Sequence, residues 1–138
     1  MVETCLFCQL VQGEIPSYRV YEDEQCLVLL DAYPLTRGHL LVCTKAHIGN
    51  VYDLDEEPLL HIMLLVKKFS LMIKDLFHPI QVIMMTHNLG NRHLHIHLIP
   101  TYSKYDVLPK EVTDITEPAP AEELENVLQH YRDYDLQR

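Results

Sequence analysis

The sequence predicts an α+β fold: an antiparallel β-sheet of about five strands, one long helix packed on it, a short N-terminal helix and a C-terminal helix. Three patterns predict this. Several short segments are either apolar throughout or apolar at every second residue, as strands are. Residues 54 to 76 carry Leu, Met, Val, Phe and Ile at helical spacing. A second helical repeat, Leu124, Val127, Leu128 and Tyr131, closes the chain.

In order, residues 5 to 13 form a helical turn, stopped by Gly13 and followed by Pro16. Its Cys5 and Cys8 stand three apart and face one way. Tyr18 to Tyr21 makes a short strand, Glu22-Asp23-Glu24 a polar turn, and Cys26 to Leu30 an apolar strand covered on both sides. Cys26 therefore reads as core. Asp31-Ala32-Tyr33-Pro34 breaks the strand, and Asp31 can either cap that turn or accept hydrogen bonds from a sugar. Gly38 to Lys45 is the next strand, with His39, Leu41 and Cys43 on one face and His47 just beyond its end. The long helix enters through Asp53 or Asp55, with Glu56 and Glu57 in its first turn and Lys67, Lys68 and Lys74 toward its far end, both favourable for the helix dipole. Its apolar surface is wider than one sheet face requires, which points to a dimer contact. His61 on this helix reads as structural or exposed. Pro79 ends the helix and Gln81 to Thr86 forms a strand. The loop His87-Asn88-Leu89-Gly90-Asn91-Arg92, with Gly90 able to take positive φ, leads into the last strand as a hairpin. A linker with Pro118 and Pro120 then precedes a helix from about Pro120 to Tyr134. The organisation expected is a catalytic domain over residues 1–105 and an extension over 106–138 packed on it.

At 138 residues and 48% apolar, the chain fits one ordinary soluble domain. No apolar run reaches the ~18–20 residues of a membrane span, and Met1 to Cys8 lacks the pattern of a secretory signal. The expected location is the cytoplasm, where Cys5, Cys8, Cys26 and Cys43 stay reduced and a Cys-x-x-Cys pair suits metal better than a disulfide. A net charge of −9 argues against a nucleic-acid surface, and a small anionic substrate needs locally arranged donors instead.

The chemistry concentrates in His93-Leu94-His95-Ile96-His97-Leu98. In an extended strand the three imidazoles leave by one face, roughly 7 Å apart, and the aliphatic residues by the other. Neutral imidazole attacks phosphorus and its adduct is labile to water, while a neighbouring imidazole or amide holds the charged oxygens. The same strand could instead hold a catalytic metal through three His ligands, although no carboxylate lies near it in sequence.

These residues resemble the signature of the histidine-triad (HIT) superfamily: His, apolar, His, apolar, His, two apolar. Cys5-Leu-Phe-Cys8, Gly13-Glu14-Ile15-Pro16, Tyr21-Glu22-Asp23, Leu30-Asp31 through Pro34, Gly38-His39-Leu40-Leu41-Val42, Lys45-Ala46-His47-Ile48 and Asn88-x-Gly90 resemble the family's other segments in order. The resemblance implies a HIT-like fold and a homodimeric nucleotide hydrolase or transferase acting at an α-phosphorus. It implies that His95 attacks, that His97 binds phosphate oxygens, that Asn88 orients the phosphate end, and that Asp31 meets the ribose with Phe7 and Leu10 near the base. Relatives with the two cysteines contain structural zinc, which implies Cys5, Cys8, His47 and His93 as ligands. Here only Asn91 and Arg92 separate Gly90 from His93. Many family members have a longer loop with a Gln or Ser contacting the leaving side. The short loop resembles one bacterial-type branch. The expectation is that Arg92 or Asn91 substitutes. Two other readings stand: a nucleotide-binding regulator with little turnover, and a metal hydrolase using His93, His95 and His97.

Overall fold

The computed structural model describes residues 5–104, 106 and 117–134. Helix α1 (Leu6–Gln12) is followed by β1 (Arg19–Glu22), β2 (Cys26–Leu30) and β3 (Leu40–Thr44), then α2 (Glu56–Phe77), β4 (Gln81–Thr86), β5 (His95–Thr101) and α3 (Ala121–Asp133). The strands form one sheet in the order β1-β2-β3-β5-β4, every neighbouring pair antiparallel. This is the α+β arrangement the sequence predicts. Among the described residues, no helix is long and apolar enough to cross a membrane.

The sheet pleat sorts each strand between two faces. Cys26, Val28, Leu30, Leu40, Val42, Ile96 and Leu98 pack with Ile62, Val66, Phe69 and Ile73 of α2 in the main core. The alternate residues Leu27, Leu29, Leu41 and Cys43 pack with Phe7, Cys8 and Leu10 of α1 in a second, smaller cluster. Because Leu41 pairs with His97 and Cys43 with His95, both imidazoles lie on the α1 face. The side with less hydrophobic cover thus receives the polar rings.

Local signals set the element ends. Gly13, at φ 79°, caps α1, and its N–H donates to Leu10 O at 3.1 Å. Asp23 Oδ1 accepts from the backbone N–H of Gln25 and Cys26, each at 2.8 Å, which closes the β1–β2 turn. Its Oδ2 accepts from Tyr21 and pairs with His61 Nε2 at 2.7 Å, so His61 is structural. Gly38, at φ 96°, has Phe77 and Pro100 within 3.3 Å of where a Cβ would stand. Only glycine fits there, and it delivers His39 to the head of β3.

Three local details differ from expectation. The left-handed glycines among the described residues are Gly13 and Gly38, not Gly90. The β4–β5 connection is no tight hairpin, because the ladder stops at Thr86↔Ile96 and residues 87–94 all lie in the loop. His93 therefore precedes β5, held there by Leu94 N–H donating to Ile48 O at 2.7 Å. Helix α3 buries Leu124, Val127, Leu128 and Tyr131. Its Tyr131 hydroxyl donates to Gly38 O, and Arg37 donates to Asn126 Oδ1 at 2.7 Å. The C-terminal helix thus grips the segment that carries Asp31 and His39. Of the expected linker, residues 107–116 lie outside the described residues. On α2, Leu60, Leu64 and Leu71 stay exposed along one side, at 64%, 67% and 48%.

Candidate active site and candidate metal centre

The histidines fall into two clusters, and the backbone decides which ring nitrogen each one offers. A carbonyl oxygen only accepts, so a ring nitrogen facing one carries the proton and the other nitrogen keeps its lone pair. His93 Nε2 lies 2.6 Å from Thr44 O. Its lone pair is therefore on Nδ1, which stands 3.3 Å from Cys5 Sγ and 3.5 Å from Cys8 Sγ. His47 Nδ1 is 3.3 Å from Cys8 Sγ. One ligand atom from each of Cys5, Cys8, His47 and His93 lies within 4.8 Å of the other three. Tetrahedral zinc with two thiolates and two imidazoles spaces S and N about 3.5 Å apart, so the donor set and its spacing fit that ion. Burial pushes the Cys8 thiol up to about 11, helped by its contact with Cys5. A metal must therefore displace that proton.

His95 is wired the other way round. Its Nδ1 lies 2.6 Å from His93 O, so Nδ1 carries the proton and Nε2 holds an in-plane lone pair. The ring of Phe7 stacks on it at 4.4 Å between centroids and 19° between planes, fixing its orientation from the α1 side. Burial lowers its pKa below the usual histidine value, which keeps the ring neutral.

His97 belongs to a chain of rings. Leu35 N–H donates to His39 Nδ1 at 3.1 Å, so the His39 proton is on Nε2. That nitrogen is 2.8 Å from His97 Nδ1, which must accept, leaving the His97 proton on Nε2. Burial lowers the His97 pKa to about 3 and the His39 pKa well below its ordinary value. His97 Nε2–H is buried with no partner. Asp31 Oδ1 caps its own turn by accepting from Tyr33 N–H at 2.8 Å. Oδ2 lies 3.4 Å from His39 Nε2 and 3.7 Å from His97 Nδ1. Burial raises the Asp31 carboxyl to about 6. Both the capping role and a position beside the rings are therefore present.

His87 completes the second cluster. It stacks on His97 at 5.3 Å and 14°, and meets His95 edge-on at 5.6 Å. A ring nitrogen of His87, one of His95 and one of His97 lie within 4.8 Å of each other. It is therefore His87, not His93, that joins the other two rings, so the alternative metal set of His93, His95 and His97 is not brought together. His93 is turned into the cysteine cluster instead. Sequence reasoning also passed over His39 as a site residue. A signal for both existed: His39 is in phase with Leu41 and Cys43, and His87 is in phase with Met85, whose partner is His97.

The remaining candidates sit as follows. Asn88 Nδ2 donates to Gly49 O and Asn50 Oδ1, each at 2.8 Å, while its Oδ1 is buried without a partner. Its donors thus hold the 49–50 loop in place of any phosphate. Arg92 is exposed and Asn91 partly so, and neither side chain hydrogen-bonds the rings. Phe7 and Leu10 are buried in the α1-face cluster, and of the two Phe7 stacks on His95. Chemically, the cluster presents one lone pair beside an unpartnered N–H, which is a nucleophile with an anion donor next to it.

Residues 12–104 match the HIT domain family. Protein hit of Bacillus subtilis (strain 168) is 41% identical over 110 residues, covering 75% of this chain and 75% of that protein. An adenosine 5'-monophosphoramidase of Schizosaccharomyces pombe is 28% identical over 127 residues, covering 83% of this chain and 94% of its own. Among solved structures, a HIT-like protein involved in cell-cycle regulation from Bartonella henselae, with an unknown ligand, has a TM-score of 0.82 at 30% identity. That match covers 94% of this chain and 95% of the other. A zinc-bound histidine triad family protein from Mycobacterium smegmatis has a TM-score of 0.77 at 25% identity, over 96% of this chain and 93% of the other.

Proposed function

The chain belongs to the HIT domain family, and on that premise we propose that it is a nucleotide hydrolase or transferase acting at the α-phosphorus of nucleoside phosphate derivatives. Dinucleoside polyphosphates and nucleoside phosphoramidates are the substrate classes. The observation that carries this reading is the hydrogen bond from His95 Nδ1 to His93 O. It leaves His95 Nε2 unprotonated, with its lone pair in the ring plane. The lone pair attacks phosphorus in line, and the leaving group departs with the electron pair of the broken bond. A nucleotidyl-His95 intermediate results. Water then attacks the same phosphorus, the N–P bond breaks, and His95 is returned neutral with a nucleoside monophosphate.

His97 Nε2–H donates to a non-bridging oxygen, where negative charge gathers in the transition state. His39 holds that proton in place through its own Nε2–H. Asp31 receives ribose hydroxyls on Oδ2, and Phe7 with Leu10 walls the base. The phosphoramidase activity named for the Schizosaccharomyces pombe relative supports P–N bonds among the substrates. Cys5, Cys8, His47 and His93 would hold a structural zinc, which would supply a crosslink between α1 and the start of β5. Since Phe7 lies between those ligands and His95, that crosslink would also fix the stacking ring. The exposed Leu60, Leu64 and Leu71 stripe supports a homodimer through α2. The substrate is a nucleotide, with no nucleic-acid or membrane partner, and the free thiols suit a reducing cytoplasm.

Rapid quenching of the wild-type reaction, followed by mass spectrometry of peptides, tests the reading. The expected result is a nucleotidyl group on His95, absent from His95→Ala. Turnover that persists in His95→Ala contradicts it, and nucleotide binding without any adduct favours a regulator.

A further inference from the structure

We propose that His87 is a second phosphate donor, and that with His97 it clamps the non-bridging oxygens of the phosphoryl group that His95 attacks. The inference rests on the nucleotide reading above and adds a residue that the histidine strand itself does not contain.

Register places it there. Met85 pairs with His97 and Thr86 with Ile96, so the next step along β4 sets His87 opposite His95 on the same face. Thr86 Oγ1 donates to His95 O at 2.8 Å and pins that end of the ladder. The ring then lies flat on His97, 14° from parallel. Leu89 N–H donates to His87 Nδ1 at 3.3 Å. Nδ1 therefore accepts, and the proton stands on Nε2. That N–H is buried and has no partner, as is the Nε2–H of His97. Two orphaned donors side by side are costly unless something accepts from them.

An anion is the acceptor that the spacing selects. Donors bonded to one oxygen, or to two oxygens of one phosphate, each at about 2.8 Å, stand about 4 to 5 Å apart. One ring nitrogen from each of His87, His95 and His97 lies within 4.8 Å of the other two. A divalent cation fits less well, because it needs a lone pair from every ring and two of the three present N–H. Arg92 is exposed and makes no hydrogen bond to the rings. The donor near the phosphate in this short loop is thus an imidazole fixed by its own stack.

Binding of AMP and GMP, and of adenosine and guanosine, to wild type, His87→Leu and His87→Gln separates the possibilities, because it requires no turnover. Gln presents an N–H near the place of the imidazole Nε2, and Leu presents none. The expected result is a loss of monophosphate affinity of about tenfold or more in His87→Leu. Nucleoside affinity should be unchanged, and His87→Gln should recover most of the loss. Monophosphate affinity in His87→Leu within twofold of wild type overturns the proposal. So does an equal loss for nucleosides and monophosphates, which marks a packing role. A nucleotidyl adduct on wild-type His95 with no effect of His87→Leu rejects this inference alone. Failure of wild type to bind any of the four ligands rejects the nucleotide reading beneath it.

Discussion

Two clusters meet at Phe7, one of two cysteines and two histidines, the other of three histidines. In one, His93 and His47 turn Nδ1 toward two cysteine sulfurs. In the other, His95, His97 and His87 bring ring nitrogens together, with Asp31 Oδ2 3.7 Å from His97 Nδ1 at the edge. His93 and His95 are two residues apart, yet one directs its lone pair toward the cysteine sulfurs and the other away from them. The difference is which nitrogen the backbone occupies: Nε2 of His93 by Thr44 O, and Nδ1 of His95 by His93 O. Residue type at a fixed spacing supplies the rings, and carbonyl placement assigns their work.

The largest effect expected comes from removing one ring on each side. His95→Ala should lower kcat by about 10⁴-fold or more, since the nucleophile is lost, while zinc content by elemental analysis stays that of wild type. Cys5→Ala or Cys8→Ala should do the reverse. Zinc should be lost and Tm should fall on the order of 10 °C. Zinc lost from His95→Ala, or retained by Cys5→Ala, breaks the division between the clusters.

Buried charge gives the next effect. Asp31 has its carboxyl raised to about 6 by burial, so it costs stability as pH rises from the ordinary carboxylate range through 6. Asp31→Asn keeps the turn-capping oxygen and removes the charge. Denaturant unfolding should show it more stable than wild type by up to about 3 kcal/mol at pH 7.5, and equal to wild type at pH 3.5. His39 and His97 act in the opposite direction. Their folded-state pKa values are lowered, so the stability they contribute is full above pH 6.5 and is lost as pH falls below it. The acid limb should survive in Asp31→Asn, and its disappearance would show that these rings are not buried neutral.

A smaller effect is expected one ring away from the chemistry. His39→Ala leaves His97 Nδ1 without its donor, so the His97 proton is no longer held on Nε2. kcat/KM should fall about tenfold, with zinc content unchanged. An unchanged kcat/KM would remove His39 from the chain of rings. Least affected should be Arg92→Ala, whose exposed side chain makes no bond to the rings, with turnover within about twofold of wild type.

Much of this was legible in the sequence, and the rest for physical reasons was not. The apolar run at Cys26 to Leu30, the helical repeat after Asp55 and the spacing of Leu124, Val127, Leu128 and Tyr131 encode burial directly, and each element stands within a residue or two of its expected place. The grouping of Cys5, Cys8, His47 and His93 was legible through family resemblance, as spacing alone cannot bring residue 47 to residue 93. His87 was missed because its role depends on strand register, which arises only when β4 pairs with β5. Arg92 or Asn91 was expected to reach a distal phosphate; the side chain of Arg92 is exposed and makes no hydrogen bond to the rings. Gly90 does not take the positive φ expected of it in the β4–β5 loop, whereas Gly38, under the contact of Phe77 and Pro100, does so ahead of β3.

Long-range ¹H–¹⁵N NMR of imidazole nitrogens reads the tautomer of each ring directly in the ligand-free protein near pH 7.5. The structure predicts His93 protonated on Nε2, His95 on Nδ1 and His97 on Nε2. A His95 ring carrying its proton on Nε2, or on both nitrogens, would leave no lone pair facing the substrate and would contradict the assignment of the two clusters.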